Sequence, residues 1–243
     1  MAALRTYHDG CAVAHALDLV GERWTLLIVR ELLFGPKRFR DLRAGLPALS
    51  PNVLTQRLRE LEEIDAVRHV RLGPPAGVHV YELTERGALL APVLTELGRW
   101  GLRSPFFDPS VPTSVDALML AVRNQFVPPP EGRFTAVLGI RFGENAFTVA
   151  VDGARIEISR GLTPSPDALA DTDAATFAGV LTRSLTFAEA TASGRLVLAG
   201  DASVLTGLLA GLAGMFPPAQ PVPHRRGGTR PGERAGRSGT RSG

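Results

Sequence analysis

The sequence predicts an α+β protein of two successive domains followed by a disordered tail. Three observations carry this. The first hundred residues read as a run of helices, a β-hairpin and a further helix. From residue 114, short strands alternate with helices. Residues 217–243 are mainly proline, glycine, arginine and serine, with almost no apolar side chains to bury. At 243 residues the chain has room for two ordinary domains.

The first domain is expected over 1–104. Segment 11–34 reads as two helices interrupted at Gly21, with Trp24, Leu27, Ile28 and Leu32 recurring at helical spacing. Gly35-Pro36 stops the second helix. A short amphipathic helix follows over 39–46, with Phe39 and Leu42 inward. Ser50-Pro51 then opens another helix, serine as N-cap and proline at the first helical position. Leu54, Leu58 and Leu61 line one face of it. Segments 66–72 and 78–83 are strand-like and joined by a Gly/Pro turn. Thr84 caps a long helix expected to run to Trp100. Two helices joined by a tight turn and followed by a hairpin make a winged helix-turn-helix.

Residues 105–112 carry three prolines and read as a semi-rigid linker. The second domain, 113–216, starts with a helix (Val115, Leu118, Met119, Val122, Phe126). Strands are expected over 134–142, 146–151, 155–159 and 195–199. Helices are expected over 174–183, 187–193 and 202–215, with a Pro-rich loop near 161–173. This is an α+β domain with a curved sheet.

Composition narrows the class. The chain is 44% hydrophobic and 21% charged, as globular proteins are. No apolar run reaches the roughly 20 residues that span a bilayer, and no signal peptide is evident, so no membrane association and a cytoplasmic location are expected. One cysteine allows no intrachain disulfide. The net charge of +3 hides a basic tail beyond an acidic second domain. Lys37 is the sole lysine, every other basic residue being arginine, which suggests a GC-rich genome. No nucleophile motif, phosphate-binding glycine loop or histidine–carboxylate metal cluster occurs, so neither an enzyme nor a cofactor or metal site is expected.

A helix that reads DNA needs an apolar stripe to anchor it and an opposite face of short polar or forked donors. With Leu54 at zero on a helical wheel, Leu58 and Leu61 lie within about 40 degrees of it, and Asn52, Gln56 and Arg59 within about 40 degrees of the opposite pole. Asn or Gln pairs with adenine and Arg with guanine. Thr55 sits on the flank. On spacing alone the same pattern fits an ordinary solvated helix face. Lys37, Arg38, Arg40 and Arg43 crowd the preceding turn and short helix. Ser50 stands at a helix N-terminus suited to a phosphate. In the wing, Arg68, His69, Arg71 and His79 are in reach of phosphates, unless the two histidines are only a cross-strand pair. The expected DNA contacts are Lys37, Arg38, Arg40, Ser50, Asn52, Thr55, Gln56, Arg59 and Arg71.

Residues 11–100 resemble the HxlR-type family of winged-helix regulators. The matching pieces are Cys11-Ala12-Val13, Gly21-Glu22-Arg23-Trp24-Thr25-Leu26-Leu27-Ile28, Gly35-Pro36-Lys37-Arg38-Phe39, the run from Ser50-Pro51-Asn52 to Glu60-Leu61-Glu62, and Tyr81-Glu82-Leu83-Thr84-Glu85-Arg86-Gly87. They stand in family order and spacing. Ala12 departs from the family's usual proline, and the wing matches only in having prolines. The resemblance implies a homodimer formed through the first and last helices of the domain and binding to duplex promoter DNA. Cys11 stands where some members carry a cysteine that senses oxidants or electrophiles. A buried structural role for it stays open, and with only His15 nearby it is no metal site.

Residues 113–216 are similar to the sterol carrier protein type of lipid-binding domain. The match is carried by 177–183, Phe187-Ala188-Glu189-Ala190, the run Gly194-Arg195-Leu196-Val197-Leu198-Ala199-Gly200-Asp201 and the Leu205-Leu208-Leu209 helix. It implies an apolar tunnel lined by Met119, Val122, Phe126, Phe134, Phe147, Phe177, Leu181, Phe187, Leu208, Leu212 and Met215. A domain of this size needs such residues as core in any case. The expected function is a dimeric DNA-binding regulator controlled by a small apolar ligand in the second domain. The rivals are a ligand-sequestering protein using the winged helix as dimer scaffold, and thiol sensing through Cys11.

Overall fold

A computed structural model describes residues 6–74, 77–128, 135–212 and 214. The expected tail at 217–243, Phe134 and Met215 lie outside the described residues.

The first domain contains α1 (Ala12–Val20), α2 (Thr25–Leu32), α3 (Phe39–Gly45), α4 (Pro51–Glu63), β1 (Val67–Arg71), β2 (His79–Leu83), α5 (Glu85–Ala88) and α6 (Ala91–Leu102). Ser50 caps α4 by accepting from the Val53 N–H at 3.4 Å, while Pro51 at the first position has no N–H to satisfy. The apolar side of α4, Leu54, Leu58 and Leu61, is buried against Ile28, Val29, Leu32 and Leu42. Each such burial contributes about 1.5–3 kcal/mol. The strands β1 and β2 pair antiparallel, Val67 opposite Leu83 and Arg71 opposite His79. The single long helix expected after Thr84 is instead two. Pro92 cannot donate to the Ala88 carbonyl four residues back, and its ring crowds that carbonyl. Helix α5 therefore ends at Ala88, and α6 begins with Pro92 among its first two residues.

The second domain opens with α7 (Val115–Gln125), capped by Ser114, whose hydroxyl accepts from the Ala117 N–H at 3.1 Å. It continues with β3 (Thr135–Phe142), β4 (Asn145–Asp152), β5 (Arg155–Arg160), β6 (Ala168–Thr172), α8 (Ala174–Thr182), α9 (Phe187–Ala192), β7 (Leu196–Gly200) and α10 (Ala202–Gly211). The sheet order is β5-β4-β3-β6-β7, with β3 and β6 parallel and the other pairs antiparallel. Alternate residues Ala136, Leu138, Ile140 and Phe142 of β3 face the core, as do Phe147, Val149 and Val151 of β4. Sequence reading assigns β6 to a loop. Ala168-Leu169-Ala170-Asp171-Thr172 has one β-branched residue, and its strand state comes from non-local pairing with β3 and β7.

The domains dock directly. Helix α7 packs on α2, and Phe34, at the end of α2, is buried in the core of the second domain. Its ring meets Phe147 edge to face, centroids 5.8 Å apart, under the Arg123 guanidinium at 5.2 Å. The linker, 105–112, runs exposed over the surface. It is not the spacer that sets domain separation; the packed interface does that. No helix among the described residues is long and apolar enough to cross a membrane.

Candidate nucleic-acid interface

Helix α4 divides cleanly. Leu54, Leu58 and Leu61 are at most 1% exposed, whereas Asn52, Gln56 and Arg59 project into solvent. Gln56 donates to Glu60 at 2.8 Å along the helix, which holds its amide on the exposed face. Thr55 is half-buried and donates back to the Pro51 carbonyl at 3.0 Å. Arg57, absent from the expected set, turns inward to pair with Glu22 at 3.3 Å and with Glu60. At the C-terminal end of α4 the wing closes on the helix. Burial and the Glu62 carboxylate push the Tyr81 phenol above its ordinary pKa, opposed by Arg59.

The flanking basic residues separate into two groups. Arg40 and Arg43 are exposed and Arg38 half-buried at the start of α3. Arg40 lies 3.3 Å from Asp41, an exposed pair of small worth. Lys37 leaves the set. It is 6% exposed, its ammonium 2.7 Å from Glu31 and 2.6 Å from Asp116. A phosphate would have to replace two buried carboxylates to reach it. In the wing, Arg71 is exposed, while Arg68 pairs with Glu82 at 2.7 Å. His69 stacks on Tyr81 at 4.4 Å and sits 5.1 Å from His79.

Residues 19–105 match the HxlR-like helix-turn-helix family. The HTH-type transcriptional regulator YvaP of Bacillus subtilis (strain 168) is 42% identical over 96 residues, covering 39% of this chain and 86% of that protein. This chain belongs to the HxlR-like helix-turn-helix family. It is a transcriptional regulator of the HxlR type. A second relative, the HTH-type transcriptional regulator YodB of the same strain, is 41% identical over 86 residues, 35% of this chain and 76% of that protein. The solved structure of reduced YodB is 34% identical and covers 42% of this chain and 98% of that one, at TM-score 0.36.

The structure also places Cys11 and the expected tunnel residues. Cys11 is exposed just before α1, and hydrogen bonds from the Ala14 and Val13 backbone lower its thiol pKa. In the second domain, the expected tunnel residues are mostly close-packed core. Met119, Val122, Phe147 and Phe177 are fully buried, Leu208 nearly so, and Phe126 packs on Gly211. Among the described residues they pack together in one core. The domain's openings include one of about 490 Å³ where β3 meets α10, with Asp167, Asp201 and Ser203 in its lining, and one of about 270 Å³ between α8, α9 and α10. Of the expected set only Leu181, Phe187 and Leu212 line the smaller one, beside Val180, Leu185 and Leu209, with Arg183 and Thr186 as polar members.

Sequence reading misses the most heavily charged buried site. Glu31, fully buried, accepts from Lys37, from Arg30 at 2.8 Å and from Ser114 at 2.5 Å. Asp116, equally buried, joins Lys37 to Arg160. Burial raises the Glu31 pKa, but the Lys37 and Arg30 charges and the bonds from Lys37 and Ser114 outweigh it and leave the carboxyl below its ordinary range. The one available signal was Lys37 itself, a single lysine in an arginine-only chain.

Proposed function

We propose that this regulator binds duplex DNA as a homodimer and responds to a small apolar molecule held by its second domain. The observation that carries the DNA reading is the exposed polar stripe of α4, Asn52, Gln56 and Arg59, opposite a fully buried leucine stripe. These side chains suit base edges in a major groove, adenine for Asn52 and Gln56 and guanine for Arg59. Thr55 suits a thymine methyl or phosphate at the flank. Arg38, Arg40, Ser50 and Arg71 surround the stripe and suit phosphates.

The dimer reading rests on exposed apolar side chains of two helices and the turn before α6. Val13 and Leu17 of α1 lie in solvent, as do Leu89, Val93, Leu97 and Trp100, Trp100 at 74%. The last four recur at helical spacing, a stripe that a monomer would leave wet. Two reading helices on a two-fold axis would enter grooves roughly 34 Å apart. Selection of sites from random duplex DNA by the full chain tests this. A near-palindromic site is expected, with affinity falling steeply as salt rises, because phosphate contacts release counterions. A single asymmetric half-site, or binding indifferent to salt, overturns it.

For the ligand, the cavity between α8, α9 and α10 is the supporting feature, together with the likeness of the domain to sterol carrier proteins. Its size suits a compact molecule, below the usual range for drug-sized ligands. Native mass spectrometry of the purified chain is the direct test. A co-purified small molecule in a chain that selects no DNA identifies a sequestering protein instead. The exposure and lowered pKa of Cys11 favour a second reading, thiol sensing. Under it, diamide weakens DNA binding by the wild type and leaves Cys11→Ser unaffected.

A further inference from the structure

We propose that Lys37 is a positioning residue through which the second domain fixes the wing of the DNA-binding domain. The turn between α2 and α3 is held at both ends by the second domain. At one end Phe34 is buried in that domain's core against Phe147. At the other, the Lys37 ammonium lies between Glu31 of its own domain and Asp116 of α7. Asp116 is held in turn by Arg160 of β5, whose guanidinium covers the Phe147 ring at 4.8 Å. Ser114, the cap of α7, reaches back to Glu31.

The backbone of Lys37 carries this grip to the wing. Its N–H donates to the Tyr81 carbonyl at 2.9 Å, and the Tyr81 N–H donates to the Lys37 carbonyl at 2.8 Å. Tyr81 belongs to β2, and its ring stacks on His69 of β1. One residue thus joins α2, α7 and both strands of the wing. Glu31 also fits against α3, where any side chain at Gly45 would collide with its carboxylate.

The choice of lysine follows from the geometry. An ammonium is a compact charge with three donors, so it can serve two carboxylates converging in a buried space. A guanidinium is planar and larger. In a chain otherwise basic only through arginine, the single lysine stands where arginine does not fit.

Two measurements on the full chain decide the proposal. The first needs no DNA: amide hydrogen exchange at Lys37 and Tyr81. Asp116→Asn and Lys37→Arg should each speed exchange at both amides about tenfold, with the reading helix α4 unchanged. Arg160→Met, at a half-buried edge-strand position, should do the same by a few-fold. It serves if the other two variants fail to fold. Unchanged exchange in any folded variant of Asp116 or Lys37 overturns the proposal. If only Arg160→Met folds, unchanged exchange there does so.

The second measurement rests on the DNA-binding reading above and uses the duplex selected by the wild type. Asp116→Asn should weaken binding about tenfold. Arg71→Ala in the wing should cost little further in that background, while Arg59→Ala keeps its full cost. Additive effects of Asp116→Asn and Arg71→Ala overturn the proposal. If the wild type selects no duplex, the DNA reading falls, and exchange at the two amides still decides the role of Lys37.

Discussion

Helix α4 was read from apolar residues at helical spacing and the interior of the second domain from a resemblance, and the structure treats them differently. In α4 the apolar stripe anchors a helix whose opposite face carries Asn52, Gln56 and Arg59 in solvent. In the second domain Met119, Val122, Phe147 and Phe177 are buried in one core, with Arg160 over the Phe147 ring as a charged neighbour. An apolar stripe carries functional information through what stands opposite it. A set of apolar residues packed against one another reports a core first.

That contrast can be broken or sharpened by experiment. The largest effect is expected from Phe177→Ala, which empties a fully buried site beside Phe142 and should cost about 3–5 kcal/mol in urea unfolding. Loss of small-molecule binding with an unchanged unfolding midpoint would instead make Phe177 part of a binding site. Next comes acid. The folded pKa of Glu31 lies below its ordinary value of 4.5, so its contribution is complete above that value and is lost as pH falls through the folded pKa. Both domains share the cluster, so far-UV and near-UV circular dichroism should report one joint loss of stability below about pH 4.5. Two separate acid transitions would show that the domains are independent.

Smaller effects are expected on the exposed polar face of α4. Arg59→Ala should cost about 1–3 kcal/mol at one base position, with thermal stability unchanged. An unaltered site preference would mean that the face was placed wrongly. Arg68→Ala breaks only the exposed pair with Glu82 and should cost about 0.2–1 kcal/mol or less in stability. A larger loss of DNA affinity there would bring Arg68 into the interface.

Much of the first domain was legible because its signals are local. The Ser50-Pro51 cap, the leucine spacing of α4 and the Gly35-Pro36 stop each act within a few residues. The break at Pro92 was equally local and went unread, since the apolar spacing from Leu89 to Trp100 continues through it. The strand β6 was not legible, because its neighbours in the sheet lie about thirty residues away on either side. Lys37 shows the limit for sites. Its neighbours Arg38 and Arg40 make it look like a phosphate contact, whereas Glu31 and the distant Asp116, itself held by Arg160, turn it inward.

The docked turn at Phe34 also bears on how the chain leaves the ribosome. Asp116 follows Lys37 by 79 residues, and Ser114 follows Glu31 by 83. At about 5–20 residues per second, the helices α2 to α4 emerge several seconds before the segment that completes their charge cluster. Throughout that interval Phe34 has no core to enter, because Phe147 and the sheet that carries it are still unmade. A nascent or prematurely terminated chain ending before residue 114 therefore displays an aromatic ring beside a lysine that has lost one of its two carboxylates. Exposed apolar surface of that kind is what chaperones and proteases meet on incompletely folded chains.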